Sequence, residues 1–182
     1  MTHDEQEIRA LVRRILLEAL GEEARTTPAW QVRTVAIAAD HGGFELKQQL
    51  IPYLESLGYA VIDLGTDGKE SVDYPDFAYA AARMVSQGRA EAAIIIDGAG
   101  IGSCMAANKV PGVRASMCYD EATAHNAREH NHANVLTLGA GMIDLERART
   151  IVRAWLETPW GGGRHARRVV KIMAIEQRFL RG

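Results

Sequence analysis

Apolar residues along this chain follow two alternating rhythms. Short, nearly continuous apolar runs occupy "VRTVAIAAD" (32–40), "YAVIDLG" (59–65), "AAIIID" (92–97), "VRASMC" (113–118) and "ANVLTLG" (133–139), which predicts five strands buried on both faces. After each run, apolar positions recur every three or four residues. That spacing predicts helices over 44–58, 76–88, 101–109, 120–130 and 144–157, and a last one over 165–180, with Pro52 an awkward guest in the first. Consecutive β-α units imply an α/β fold: a three-layer α/β/α sandwich around a doubly wound, five-stranded parallel sheet of Rossmann-like type. Ligands of such sheets bind outside the carboxyl ends of the strands. The polar residues that flank the strands are therefore expected to converge on one edge.

A separate pattern precedes the first strand. Ile8, Leu11, Val12, Ile15, Leu16, Ala19 and Leu20 form one apolar stripe within "DEQEIRALVRRILLEAL" (4–20), with Asp4 and Glu7 spaced as a capping box and Gly21 as a stop. "EEARTTPAWQV" then breaks the pattern and reads as a linker. The implied organisation is an amphipathic helix over 1–21, a linker over 22–32 and one domain over 33–182.

Composition narrows the function classes. The 182 residues are 47% apolar with a formal net charge of −2, so bulk electrostatics imply no nucleic-acid partner. No run of some 18 apolar residues suggests a membrane span, and the N-terminus lacks the features of a secretion signal. A cytoplasmic protein is expected. Cys104 and Cys118 are too few for a disulfide framework, and Cys118 reads as inert packing. Charge is uneven locally: Arg164 to Arg181 holds five Arg and one Lys against the single acid Glu176.

The candidate chemistry lies next to the strands. Asp40-His41-Gly42-Gly43 follows the first, Gly65-Thr66 and Asp73-Tyr74-Pro75 the second, and Asp97-Gly98-Ala99-Gly100-Ile101-Gly102 the third. Gly139 and Gly141 follow the fifth; "REHNHAN" precedes it, and "GGGRHARR" opens the last helix. A glycine loop entering a helix can hold an anion or oxyanion on its free amides. Its spacing is not the dinucleotide fingerprint, and no acid is placed for a ribose, so no nucleotide cofactor is expected. His125, His130 and His132 do not share a helix face and no thiol cluster accompanies them, so no metal site is expected either. Arg167 is expected to face solvent, while Asn108 and Lys109 are expected to secure a helix end. Asp97 admits two readings: a partly desolvated base whose pKa is raised toward neutrality, or a side-chain cap on the helix that follows.

"AADHGGFELK", "DYPDFA", "GAGIGSCMAANKVPGVRA", "AREHNHANVLTLG" and "GGGRHARRV" resemble, in order and spacing, the ribose-5-phosphate isomerase B family, which includes allose- and galactose-6-phosphate isomerases. The likeness spans roughly residues 33–180. It implies aldose–ketose isomerisation of a sugar phosphate through an enediolate, with neither metal nor cofactor. Carried over by motif, His130 would open the ring and Asn131 would hydrogen-bond the substrate. Asp40 and His41 would bind sugar or phosphate, with Tyr74 lining the pocket. The backbone at Gly98 to Gly102 would hold the enediolate, with Gly98, Ala99, Gly100, Gly102 and Ser103 counted among the substrate-binding residues, and Arg164 and Arg168 would grip the phosphate; Asp97 is the candidate proton-transfer base. A homodimer or tetramer with shared sites is implied.

The chain also departs from that family. Asp97 stands where one branch has a cysteine base, and Ser103 where another has a glutamate. Ala99 lacks the usual hydroxyl and Gly141 replaces a phosphate-binding arginine. These departures leave open a catalytically altered sugar-phosphate-binding or assembly subunit, or an isomerase of a six-carbon sugar phosphate. The segment 4–20 is similar to helices that direct enzymes into bacterial microcompartments by binding shell or cargo; packing on its own domain is the plainer reading.

Overall fold

The computed structural model describes residues 32–180; the helix expected over 1–21 and the linker up to residue 31 lie outside the described residues. Five strands alternate with six helices. The strands are β1 (Thr34–Ala39), β2 (Ala60–Asp63), β3 (Ala92–Asp97), β4 (Ala115–Met117) and β5 (Val135–Gly139). The helices are α1 (Phe44–Ser56), α2 (Tyr74–Ser86), α3 (Ile101–Ala107), α4 (Glu121–Asn131), α5 (Leu145–Glu157) and α6 (Gly163–Leu180). All neighbouring strands pair in parallel in the order β2-β1-β3-β5-β4, so the expected doubly wound α/β sandwich is present. The fourth strand is shorter than its apolar run suggests, three residues at the sheet edge.

Side chains alternate across the sheet and build two cores. Val35, Ile37, Ala39, Ala92, Ile94 and Ile96 join Leu46, Leu50 and Leu54 of α1 and Ile151, Val152 and Trp155 of α5 on one face. Ala36, Ala38, Ala93 and Ile95 join Ala78, Ala81 and Ala82 of α2 and Ala107 of α3 on the other. The small residues of the second core let α2 and α3 lie close over β1 and β3. Gly43 serves a similar purpose, because a Cβ there would fall on the Ile96 carbonyl.

Local chemistry accounts for the helix ends. Pro75 sits in the first turn of α2, where a missing N–H costs nothing. Asp120 and Thr123 form a capping box at α4. His132 leaves α4 in the left-handed region at φ 49°. Pro52 is tolerated within α1, where it and Gln48, whose carbonyl loses its usual donor, are both exposed. The last helix is held at two places: both Glu176 carboxylate oxygens accept the Gly112 amide at 3.0 Å, and the Gly161 amide donates to the Glu129 carbonyl at 3.0 Å.

One buried cation sits behind β2. Lys47 is fully buried, and its ammonium donates to both Asp63 oxygens at 2.6 Å. Removing the acid strands this charge, whereas removing the lysine leaves a part-exposed carboxylate that water can solvate. Asp63→Ala is therefore expected to cost about 3 kcal/mol. Lys47→Met is expected to cost clearly less, as read from urea denaturation midpoints of the two variants.

Candidate active site

The carboxyl ends of β1 and β3 form one cluster. Ala39 pairs with Ile96, so Asp40 and Asp97 close neighbouring strands side by side. Both acids fall in the alternation that faces α2 and α3. Asp40 is buried, and its Oδ1 accepts the Gly43 amide at 3.0 Å. His41 is exposed and meets the Val72 backbone through Nδ1, 3.2 Å from the amide and 3.3 Å from the carbonyl. The phenol end of Tyr74 packs on the first turn of α3: a Cβ on Gly102 would sit 2.5 Å from its Cζ. Gly141 closes the other side, donating its amide to the Gly98 carbonyl at 3.0 Å.

Asp97 makes cap contacts. Its Oδ1 accepts the Ala99 amide at 2.8 Å and the Gly100 amide in a short contact; its Oδ2 accepts the Ser103 amide at 3.0 Å. Burial alone would raise its pKa. The neighbouring Ser103 hydroxyl and the amides of Gly100, Ser103 and Ala99 outweigh burial and hold the carboxyl below its ordinary value. The raised pKa expected of a desolvated base is thus corrected in direction: hydrogen bonding to the ionised form wins over desolvation.

The loop amides divide accordingly. Those of Ala99, Gly100 and Ser103 turn inward to Asp97 and are not available to a ligand, contrary to the carry-over by motif. Those of Gly98, Ile101 and Gly102 donate to no acceptor among the described residues. Gly100 makes the turn possible at φ 78°, where a Cβ would also strike Leu138. Ser103 is fully buried, its hydroxyl beside the Asp97 carboxylate.

The remaining candidates form a second cluster. His130 stacks on His165 with ring centroids 4.1 Å apart and planes 6° from parallel. Asn126 approaches His130 Nδ1 at 3.0 Å; with the amide as donor, the neutral ring carries its proton on Nε2, which lies 3.8 Å from Glu129. Asn131 is exposed and donates to the Asn126 backbone and side-chain oxygens, both at 3.3 Å. Arg164 donates Nε to His165 Nε2 at 3.3 Å, and Arg168, one turn on, is exposed. Burial first, then the charges of His130, Arg164 and Arg168, lower the His165 pKa. The adjacent His132 stacks on Trp160 and is held down to about 4 by burial and by Arg114 and Arg128.

The two clusters do not meet within one chain. His130 and Asn131 end α4, which leads into the start of β5, whereas Asp97 pairs with Gly139 at the end of β5. Five residues of extended chain, about 17 Å, separate these edges. The expected convergence on one edge is therefore corrected: a helix that runs back after a strand delivers its C-terminus to the opposite edge. His165, named from the sequence without a role, stacks on His130, and Asn126, which was not singled out, contacts it; the Asn126–His130 spacing of four signals a shared helix face. Asn108 does secure the end of α3, bonding Ala115 N and O. Among the described residues, no group of three or more His, Cys, Asp or Glu side chains is placed to hold a metal ion. No helix among them is long and apolar enough to cross a membrane.

Comparisons with known proteins agree over the whole folded domain. The profile of the family described as Ribose/Galactose Isomerase matches residues 35–172. "Ribose-5-phosphate isomerase B" of Escherichia coli is 43% identical over 147 residues, which cover 81% of this chain and 99% of the relative. "D-erythrulose-4-phosphate isomerase" of Pectobacterium atrosepticum is 41% identical over 140 residues, 76% of this chain and 92% of that one. The solved Ribose-5-Phosphate Isomerase B of Clostridium thermocellum superposes with a TM-score of 0.79 at 47% identity, covering 80% of this chain and 99% of that one.

A carboxyl with a lower pKa in the folded than in the unfolded chain stabilises the fold above its unfolded value, near 4, and yields that stability as pH falls toward the folded value. Asp97→Ala leaves three amides without their acceptor. It is expected to lose about 2 kcal/mol at pH 7. Urea denaturation at pH 7 and pH 3 should show its deficit against the unmutated protein narrowing at the lower pH.

Proposed function

The chain belongs to the Ribose/Galactose Isomerase family, and we propose that it interconverts ribose 5-phosphate and ribulose 5-phosphate through an enediolate, using only its own side chains and backbone. Complementarity of the two clusters carries this reading. The β1–β3 edge has carboxylates and open amides but, among the described residues of the cluster, no guanidinium to balance a phosphate dianion. The α4–α6 edge has His130, Asn131, Arg164 and Arg168 but no carboxylate pair like Asp40 and Asp97.

A second copy would join the halves. Ile172, Ile175 and Phe179 form an exposed stripe on α6 in line with Arg168, and Phe179 is 84% exposed. Ile101, Met105, Tyr119 and Met142, the last 70% exposed, form an apolar rim around the β1–β3 edge. Stripe against rim, repeated by a two-fold axis, would bury both surfaces and carry each guanidinium pair to the partner's loop. In such a dimer His130 opens the ring and Asn131 fixes a hydroxyl. Arg164 and Arg168 grip the phosphate, and the amides of Gly98, Ile101 and Gly102 face the developing enediolate oxygens. The ribose substrate follows the names of the Escherichia and Clostridium relatives; the Pectobacterium relative makes the four-carbon analogue the first alternative to assay.

One observation favours a second reading, a subunit that binds sugar phosphate without turnover: the Asp97 oxygens are already occupied by amides. Solvent deuterium entering C2 of ribose 5-phosphate supports the isomerase, and binding without exchange supports the receptor. For residues 4–20 we propose an address that binds microcompartment shell or cargo. The family profile matches residues 35–172 and does not draw on that segment. Deleting residues 1–30 is expected to leave turnover and assembly mass unchanged; a monomeric or insoluble product would refute the address.

Subunit mixing tests the shared site. His130→Ala and Asp40→Asn are each expected to be inactive alone. Mixed in equal amounts and allowed to exchange, they should recover about a quarter of the wild-type rate, because half the dimers are mixed and each has one intact site of two. No recovery after verified exchange would show that each site is built within one chain.

A further inference from the structure

Resting on the isomerase reading, we propose that Asp40 is the catalytic base that carries the proton between C1 and C2, and that Asp97 is a positioning residue for the loop. A base on this path needs a lone pair that no protein donor holds. Both Asp97 oxygens accept amides, three in all, and each of those amides belongs to the turn that Asp97 shapes. Turning the carboxylate toward a sugar would break the turn. Asp40 closes the adjacent strand on the same face of the sheet. It is 8% exposed, its Oδ1 accepts one amide, and its Oδ2 accepts no hydrogen bond from the described residues. A Cβ on Gly42 would lie 3.3 Å from Asp40 Oδ1 and 3.4 Å from the Gly98 amide, so carboxylate and first open amide flank one spot. Glycine at 42 keeps that spot clear. A carbonyl oxygen held by the Gly98 amide would present its neighbouring carbon to Asp40.

The step balances without a co-reactant. Asp40 removes the proton from C2 of the open-chain aldose; the C2–H electron pair becomes the C1–C2 double bond, and the carbonyl π pair moves to O1. The O2 proton passes to O1, the C2–O2 carbonyl forms, and the C1–C2 π pair takes the proton back from Asp40 at C1. Carboxylate is regenerated. Asp97 transfers nothing; it holds Ala99, Gly100 and Ser103 so that Gly98, Ile101 and Gly102 point outward.

Ribulose 5-phosphate separates this proposal from ring opening, because its O5 carries the phosphate and the sugar stays open. The measurement is deuterium exchange at its C1 in heavy water, with binding of the same ketose followed by calorimetry. Asp40→Asn keeps an oxygen for the Gly43 amide; it is expected to bind the ketose and to exchange about a thousandfold more slowly than wild type. Asp97→Asn keeps one acceptor oxygen for the loop and cannot act as a carboxylate base. One loop N–H then faces the new amide, so its exchange is expected to fall about tenfold, far less than that of Asp40→Asn, with Asp97→Ala slower than Asp97→Asn. Exchange by Asp40→Asn within tenfold of wild type overturns the proposal, as does a thousandfold loss in Asp97→Asn that still binds ribulose 5-phosphate. Wild-type protein that binds ribulose 5-phosphate and exchanges nothing overturns the isomerase reading itself, a result distinct from either.

Discussion

Every strand of the sheet enters from one edge and leaves by the other, and the placement of chemistry in this protein follows from that polarity. Groups that end a strand, Asp40 and Asp97, meet at the exit edge. Groups that end a returning helix or open the last one, His130, Asn131 and Arg164, gather at the entry edge. A single chain cannot fold these edges together without breaking the parallel ladder, whose hydrogen bonds are buried and cannot be given up to water. The separation of the two clusters is thus a property of the topology rather than of any one side chain.

Within the exit edge, one carboxylate governs the loop. Asp97 draws three amides inward and leaves three facing out, so the same turn is closed toward the core and open toward solvent. Burial and hydrogen bonding pull its ionisation in opposite directions, and the amides prevail. A nearby carboxylate with one amide partner, Asp40, stands under a different constraint although its distance from water is similar. Burial alone therefore does not say which of two acids keeps an oxygen free of protein donors; the count of donors does.

Much of this was legible from residue order. Continuous apolar runs marked β1, β3 and β5, and three-four spacing marked the helices, because burial on two faces or one stripe leaves those signatures; the run at β2, expected to be buried on both faces, is an edge strand whose residues are exposed or half-buried. β4 was overextended, since Val113 and Cys118 are buried in the flanking turns rather than in the ladder. The motif residues were also identifiable, but their grouping was not: a linear motif carries no record of which sheet edge a returning helix reaches. Nor does a lone Asp after a strand disclose how many amides will turn toward it. His165 stood among the candidates of "GGGRHARR" without a role, because its place is under another ring, a relation across 35 residues that no local spacing announces.

The outermost strands carry a further implication. β2 and β4 are four and three residues long, so each offers an incoming backbone only a brief row of unpaired amides and carbonyls. Such stubs are poor templates for adding foreign chain, which guards a hydrophobic parallel sheet against runaway polymerisation. Any association of copies is thereby steered to helical surfaces, where a closed, finite particle can form instead of a fibre.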